Sequence, residues 1–330
     1  MKNTNADIAI IVPFNAWTGW VVDCVEAISR LNGLHRGWTL WLVPDDEPTA
    51  AWRERLAPYQ SGLSLEILPT GFGNPSQKRN AVLHRTKAPV IALIDSDAWP
   101  ESDWLMNALN HFNNDIGVVT GPNLTPTDDE LSRRVCGRVM ESPIGFGEGY
   151  IRHVSTEARD VREMPTCNMV YRRPPDLRFH EELATGEDMV FCSEMRAAGC
   201  RVVYRPDVRV YHHRRKLLRP FMQQFFGYGL NKGRLWRMGS DIAYRWHALP
   251  TLFLLYLAVA VLGTPLVGGW MAWALWIPLL AYLLVVTVES ARMAGSFGEF
   301  ILCIPAFLAS HLSYGAGYLA GYLKPPQAIR

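Results

Sequence analysis

Val90-Ile91-Ala92-Leu93-Ile94-Asp95-Ser96-Asp97 is an apolar run of strand length that stops at two carboxylates. A short run with no polar alternation reads as a strand covered on both faces, as in a parallel sheet. In extended backbone, residues i and i+2 point to the same side, so Asp95 and Asp97 share one. Open parallel sheets bind ligands at the carboxyl ends of their strands. Two carboxylates at that point suit one hard divalent cation, Mg2+ or Mn2+, whose shell is completed by phosphate and water. Such a cation neutralises charge on a departing diphosphate. An Asp-x-Asp also arises by chance in surface loops, and here it also suits a helix N-cap before Pro100-Glu101. Its position directly behind a buried strand favours the metal reading.

Outward from this stretch the first 210 residues or so alternate strand-like and helix-like segments. Strands are expected at Ile8–Pro13, Thr39–Val43, Leu63–Leu68, Pro89–Ile94 and Ile116–Thr120. Helices are expected at Thr18–Leu31, Ser76–Arg85 and Asp103–Phe112. That order predicts an α/β domain with a mostly parallel sheet. No GxGxxG opens a helix after a strand, since Gly71-Phe72-Gly73 is followed by Asn74-Pro75-Ser76, and no GxxxxGK[ST] occurs. Dinucleotide oxidoreductases and P-loop enzymes are therefore disfavoured. The stretch 121–166, with Pro122, Pro143 and several glycines, reads as loops without assigned roles. Trp99 and Tyr150 are candidates for stacking on a ligand, with core packing as the alternative.

The chain has 330 residues, 33 Lys+Arg against 31 Asp+Glu, 49% hydrophobic and 19% charged residues. A net charge of +2 excludes a generally basic nucleic-acid binder. Six cysteines without a CxxC pair suggest free thiols in a reducing compartment. The polar start, Met1 to Asp7, and the short apolar run after it do not make a signal peptide, so the N-terminal part is expected in the cytosol.

Charge and apolar residues are segregated. Leu249 to Val288 carries no charge and is about twice the ~20 residues one crossing needs. Gly263-Thr264-Pro265 and Gly268-Gly269 break it, which predicts a helical hairpin with spans at 249–266 and 269–288. A second uncharged run, Phe300 to Leu323, contains Pro305, His311 and the pair Gly317/Gly321, a spacing that lets helices approach closely. It reads as a third span, with a re-entrant or interfacial helix as the alternative. Residues 201–247 hold eleven Lys/Arg against Asp207 and Asp241. This block precedes the first span, so it marks the cytoplasmic side and attracts anionic headgroups. Its interleaved Phe221, Phe225, Phe226, Tyr228, Leu235 and Trp236 point to an interfacial amphipathic helix.

Four blocks in this order resemble the family 2 glycosyltransferases, inverting enzymes of the GT-A fold. They are Ile10-Ile11-Val12-Pro13-Phe14-Asn15, Asn74-Pro75-Ser76-Gln77-Lys78-Arg79-Asn80 and Ile94-Asp95-Ser96-Asp97. The fourth is Gly186-Glu187-Asp188 with Arg196-Ala197-Ala198-Gly199 and Val208-Arg209-Val210-Tyr211-His212. The likeness covers about residues 7–240, and the apolar C-terminal segments resemble a membrane-attached bacterial subgroup. It implies a GT-A catalytic domain over 1–215, a basic interfacial segment over 216–247 and a membrane part over 248–330.

By resemblance, Pro13, Phe14 and Asn15 line the base and ribose pocket. Asp45 or Asp46 matches the acid contacting the nucleoside, although Asp45-Asp46-Glu47-Pro48 departs from the family's Asp-Asp-Gly-Ser. Lys78 and Arg79 match positions near the donor. Asp97 is the metal ligand, with Asp95 beside it on nucleotide and metal. His212 completes the metal site, with His213 as rival. Asp188, beside Glu187, matches the catalytic base; without the other blocks that pair would read as acids at a helix N-terminus. The family's Gln-x-x-Arg-Trp of processive synthases is not matched by Gln223-Gln224-Phe225-Phe226-Gly227-Tyr228-Gly229, which speaks for single sugar addition.

The implied activity is metal-dependent transfer from a UDP- or GDP-linked sugar to a membrane-held, polyprenyl-linked acceptor. It would take place at the cytoplasmic face of the inner membrane, in surface glycan assembly. The alternatives are polyprenyl phosphate itself as acceptor, a sugar nucleotidyltransferase, and a membrane scaffold that has lost turnover.

Overall fold

The computed structural model describes residues 7–33, 37–60, 62–183, 186–239, 243 and 245–324. Thr185, which precedes Gly186-Glu187-Asp188, and Asp241 of the basic block lie outside the described residues. The chain forms two compact units, residues 1–124 with 154–213, and residues 125–153 with 214–330.

In the first unit, β1 (Ile8–Pro13), α1 (Gly19–Ser29), β2 (Trp38–Val43), α2 (Ala50–Gln60), β3 (Ser64–Ile67) and α3 (Pro75–Leu83) follow one another. They lead into β4 (Val90–Ile94), β5 (Ala98–Pro100), α4 (Trp104–His111), β6 (Ile116–Thr120) and β7 (Asn123–Leu124). The second unit takes the chain through α5 (Leu131–Glu141) and α6 (Pro143–Phe146). The first unit resumes with β8 (Arg159–Asp160), β9 (Asn168–Arg172), α7 (Glu187–Ala197), β10 (Arg201–Tyr204) and β11 (Val210–His212).

The main sheet has the order β3-β2-β1-β4-β9-β6-β10-β8. Among these strands β9 runs antiparallel to β4 and β6, and β8 antiparallel to β10; the other pairings are parallel. Strands β1 and β4 are buried on both faces, as their unbroken apolar runs require. Ile8, Ile10 and Val12 of β1, with Val90, Ala92 and Ile94 of β4, pack under α1, α2 and α4. Ala9, Ile11, Ile91 and Leu93 face the other way, toward α3 and α7. A second sheet, β5-β11-β7, forms just past the ends of β4 and β6. Gly121 permits that exit, because a Cβ there would stand 1.9 Å from the carbonyl oxygen of Val208.

The second unit adds α8 (Arg219–Arg237), α9 (Leu249–Val267), α10 (Gly269–Ala274), α11 (Ile277–Met293) and α12 (Phe297–Leu323) to α5 and α6. Residues 121–166, read from sequence as loops, thus hold α5 and α6. Val135, Cys136, Val139 and Met140 of α5 make one apolar stripe that packs with Phe221, Phe225, Val286, Cys303 and Phe307. The hairpin expected from the uncharged run turns at Gly268 and Gly269, both with positive φ (64° and 56°). Its second limb is two helices rather than one. Pro278 sits in the first turn of α11 and has no N–H to continue α10. Helices of span length and apolarity cover Arg245–Val267, Gly269–Met293 and Phe297–Leu323.

Candidate active site

The end of β4 is the centre of the site. Ile94 pairs with Asn168 of β9, and the chain then turns through Asp95 and Asp97 into β5. Strand β11 pairs antiparallel with β5, setting His212 opposite Ala98. His212 Nε2 is 3.1 Å from Asp97 Oδ1 and 3.8 Å from Asp95 Oδ2. The three side chains offer ligand atoms that all lie within 4.8 Å of one another. His213, which sequence leaves as a rival, points elsewhere. Its ring stacks on Trp20 at 4.9 Å and tilts against Trp99 at 4.8 Å, while its backbone N–H donates to Asp97 O. Trp99 in turn stacks on Tyr211.

The electrostatics of this cluster suit a cation. Desolvation raises the Asp95 carboxyl above its usual range, the His212 imidazole opposes this, and the neighbouring Asp97 carboxylate adds to it. Two crowded carboxylates are in the state that a divalent cation relieves. The same burial, with Asp97 and Asp95 next in weight, pushes the Cys24 thiol up, so Cys24 beneath the loop is an inert packing group. Two carboxylates with one imidazole are a donor set that fits a divalent cation.

One residue that sequence reasoning missed explains how β11 reaches this point. Asn168, 1% exposed, donates through Nδ2 to the carbonyls of Pro122 and Val208 at 3.0 and 2.8 Å. Its Oδ1 accepts from Trp104 Nε1 at 2.8 Å. It thereby clamps the exits of β6 and β10 beside Ile94. A lone Asn in an apolar strand carries no pattern, so only its burial reveals it.

At the end of β1, Phe14 is buried and packs edge-on to Trp17 at 4.9 Å, which stacks on Trp52. Pro13 pairs with Val43, and Asn15 is exposed. The two acids after β2 separate clearly. Asp45 is turned inward and ion-paired to Lys78, whereas the Asp46 side chain is exposed and its carbonyl accepts from Trp17 Nε1.

Lys78 and Arg79, matched by resemblance to positions near the donor, are 1% and 2% exposed. The Lys78 ammonium donates to Phe14 O, Asn15 Oδ1 and Asp45 Oδ1, which takes up its three N–H groups. It ties the ends of β1 and β2 to α3. Arg79 Nη1 meets Glu187 Oε1 at 2.8 Å, Nη2 donates to Thr166 Oγ1 at 2.7 Å, and the guanidinium lies over Phe179. Helix α3 starts at a capping box between Asn74 and Gln77 and turns Ser76, Lys78, Arg79 and Asn80 inward.

Gly186, with φ of 83°, opens α7 in a conformation that favours glycine. Glu187 and Asp188 form its first turn, where negative charge is favoured. Glu187 is buried against Arg79, while Asp188 is half-buried and accepts from Met189 N. Both Arg79 and Glu187 act electrostatically on Asp95, so the α7 N-terminus is within reach of the carboxylate cluster. Removing Arg79 alone leaves Glu187 charged and buried. Arg79→Met is therefore expected to cost about 3–5 kcal/mol of stability. The double variant Arg79→Met/Glu187→Met should recover most of it, as read from thermal unfolding of the purified protein.

Comparisons with known proteins agree with this arrangement. The family model described as glycosyl transferase family group 2 matches residues 90–288. Pre-mycofactocin glycosyltransferase of Mycobacterium tuberculosis is 25% identical over 231 residues, covering 68% of this chain and 47% of the relative. The chain thus spans about half the length of the curated relatives it matches. Among solved structures, a mannosyltransferase from Pyrobaculum calidifontis in complex with GDP-Man and Mn2+ superposes with a TM-score of 0.63 at 14% identity, covering 92% of this chain and 86% of that one. TarS of S. aureus in complex with UDP-GlcNAc gives 0.50 at 13% identity, covering 96% and 90%. These two likenesses concern the fold, which is the GT-A arrangement of sheet and helices. The family match begins at the strand carrying the two carboxylates and continues past α7 and β11 into the apolar helices, and the chain belongs to glycosyl transferase family group 2.

Proposed function

We propose that this chain is an inverting, metal-dependent glycosyltransferase. It moves one sugar from a UDP- or GDP-linked donor to a membrane-held, polyprenyl-linked acceptor at the cytoplasmic face. The observation that carries the reading is the meeting of Asp95, Asp97 and His212 at the end of β4. The donors bound by the two structural relatives, GDP-Man and UDP-GlcNAc, support a nucleotide sugar here.

The residues divide the work as follows. Asp95, Asp97 and His212 would hold Mn2+ or Mg2+, which when bound supplies charge neutralisation to the leaving nucleoside diphosphate. Pro13, Phe14 and Asn15 at the end of β1, with Asp45, form the wall for base and ribose. Lys78 holds that wall in place from within, since it grips Phe14, Asn15 and Asp45 together. Asp188 accepts the proton of an acceptor hydroxyl as that oxygen attacks the anomeric carbon. Direct attack inverts the centre, so an α-linked donor gives a β-linked product. Arg79 and Glu187 position the start of α7, and with it Asp188.

The test is a panel of UDP- and GDP-sugars incubated with the purified protein, with Mn2+ and with chelator. Free nucleoside diphosphate should be released from one donor class, and chelation should abolish its release. Release of pyrophosphate would move the chain to the nucleotidyltransferases. Turnover unchanged by chelator would remove the metal from the scheme.

A further inference from the structure

Three helices are long and apolar enough to cross a bilayer, yet α12 differs from the other two. Of its apolar window 39% is buried inside the protein, against 11% and 6% for Arg245–Val267 and Gly269–Met293. Besides α9 and α11 it packs on two polar helices, α8 and α5. In its first turn Glu299, its side chain 3% exposed, meets Arg134 Nε at 2.8 Å and Arg138 Nε at 3.0 Å of α5. Along its second half it runs parallel to α8 with backbones in contact. A Cβ on Gly317 would stand 2.1 Å from Phe226 O, and one on Gly321 2.1 Å from Leu230 O. Gly229 and Gly233 of α8 approach Tyr314 O and Tyr318 O in the same way, at 2.1 and 2.2 Å. The pair ends together, because Arg237 Nη1 donates to the carbonyls of Tyr322, Leu323 and Lys324. The small-residue spacing seen in α12 therefore serves contact with a helix that carries Arg219, Lys232, Arg234 and Arg237.

The hydrogen bonds of α12 to the apolar hairpin reach the start of α9 and the middle of the second limb, not its tip. Thr251 Oγ1, at the start of α9, donates to Gly315 O at 2.9 Å. Tyr282 of α11 bonds His311 Nδ1 at 2.8 Å. Toward the tip, Leu262, Leu266, Trp270 and Trp273 are 70–83% exposed, each far from any neighbour that would cover it. A helix that crossed beside α9 and α11 would touch them along their length and draw the cations of α8 into hydrocarbon, where Lys and Arg are strongly disfavoured. A helix lying across the base would do neither.

We infer that α8 and α12 form one interfacial pair seated in the headgroup layer of an anionic bilayer, and that the α9–α11 hairpin alone crosses. The pair fits a lipid surface. Leu218, Met222 and Trp236 of the α8 region and Phe297 and Leu323 of α12 are exposed apolar groups beside a basic helix. The consequence is an even number of crossings. Lys324 emerges on the side occupied by the first unit, and Trp270 on the opposite side.

Three single variants of the full-length protein test this: Glu54→Cys on exposed α2, Trp270→Cys at the hairpin tip and Lys324→Cys. Each is probed with a membrane-impermeant maleimide in sealed vesicles of known orientation, against the wild-type background. Glu54→Cys and Lys324→Cys are expected to label from the same face and Trp270→Cys from the other. Labelling of Lys324→Cys from the face that labels Trp270→Cys means three crossings and overturns the inference. Labelling of all three from one face means that the hairpin does not cross, and overturns it equally.

Discussion

Asp97→Ala is expected to lower sugar transfer by about a hundred- to a thousandfold, the usual loss when one charge-stabilising group is removed from a transition state. Asp97 is chosen over Asp95 on geometry. It lies closer to His212, at 3.1 against 3.8 Å, and its side chain is less exposed, at 16% against 37%. The loss should come without unfolding. Burial raises the Asp95 carboxyl most and the crowding Asp97 carboxylate adds to it, so deleting Asp97 relieves repulsion between like charges. Thermal stability should stay level or rise while activity falls, the pattern of a site whose strain is functional. Calorimetric titration with Mn2+ should show weakened binding in the same variant. A variant that melts early and still binds Mn2+ as the wild type would make Asp97 a structural residue of the β4–β5 turn.

Much of this site is legible in sequence because it is written in short-range patterns. The unbroken apolar run of β4 gives a strand buried on both faces, whereas Asp95 and Asp97 lie just beyond it in a turn closed by Ala98 N donating to Asp95 O, so it is the turn and not extended i, i+2 spacing that brings them together. Helix α3 is less legible for a physical reason. Its inward face carries Ser76, Lys78, Arg79 and Asn80, so no hydrophobic stripe announces which face is buried. Their burial is paid for by partners far away in sequence, Phe14, Asp45, Thr166 and Glu187, which no local pattern reveals. The choice between His212 and His213 has the same character. Both follow one strand, and the antiparallel pairing of β11 with β5 decides which ring meets the carboxylates. Helices α5 and α6 escape because prolines and glycines at 121–166 suggest turns, while the stripe Val135, Cys136, Val139, Met140 acquires meaning only when its partners in α8, α11 and α12 are known. The GxxxG of α12 is visible, but its partner α8 is not, since pairing across eighty-odd residues leaves no local trace.

The second large effect discriminates between acceptors. Asp188→Asn keeps the shape of the side chain and an oxygen able to accept from Met189 N, as Asp188 Oδ1 does now at 2.8 Å, so α7 should form as before. What the amide cannot do is take a proton. With a saccharide hydroxyl as acceptor, kcat is expected to fall by about a hundred- to ten-thousandfold, the range for losing a general base, with KM for the donor little changed. With polyprenyl phosphate as acceptor the attacking oxygen is already anionic near neutral pH, and the same variant should retain activity within about tenfold, because no proton has to leave. Glu187→Gln is the necessary contrast. Its carboxylate is bound to Arg79 inside the protein, so its loss should appear as lowered thermal stability with either acceptor. If Asp188→Asn and Glu187→Gln lose stability together and neither changes kcat selectively, the first turn of α7 is a structural ion pair at a helix N-terminus and the base lies elsewhere.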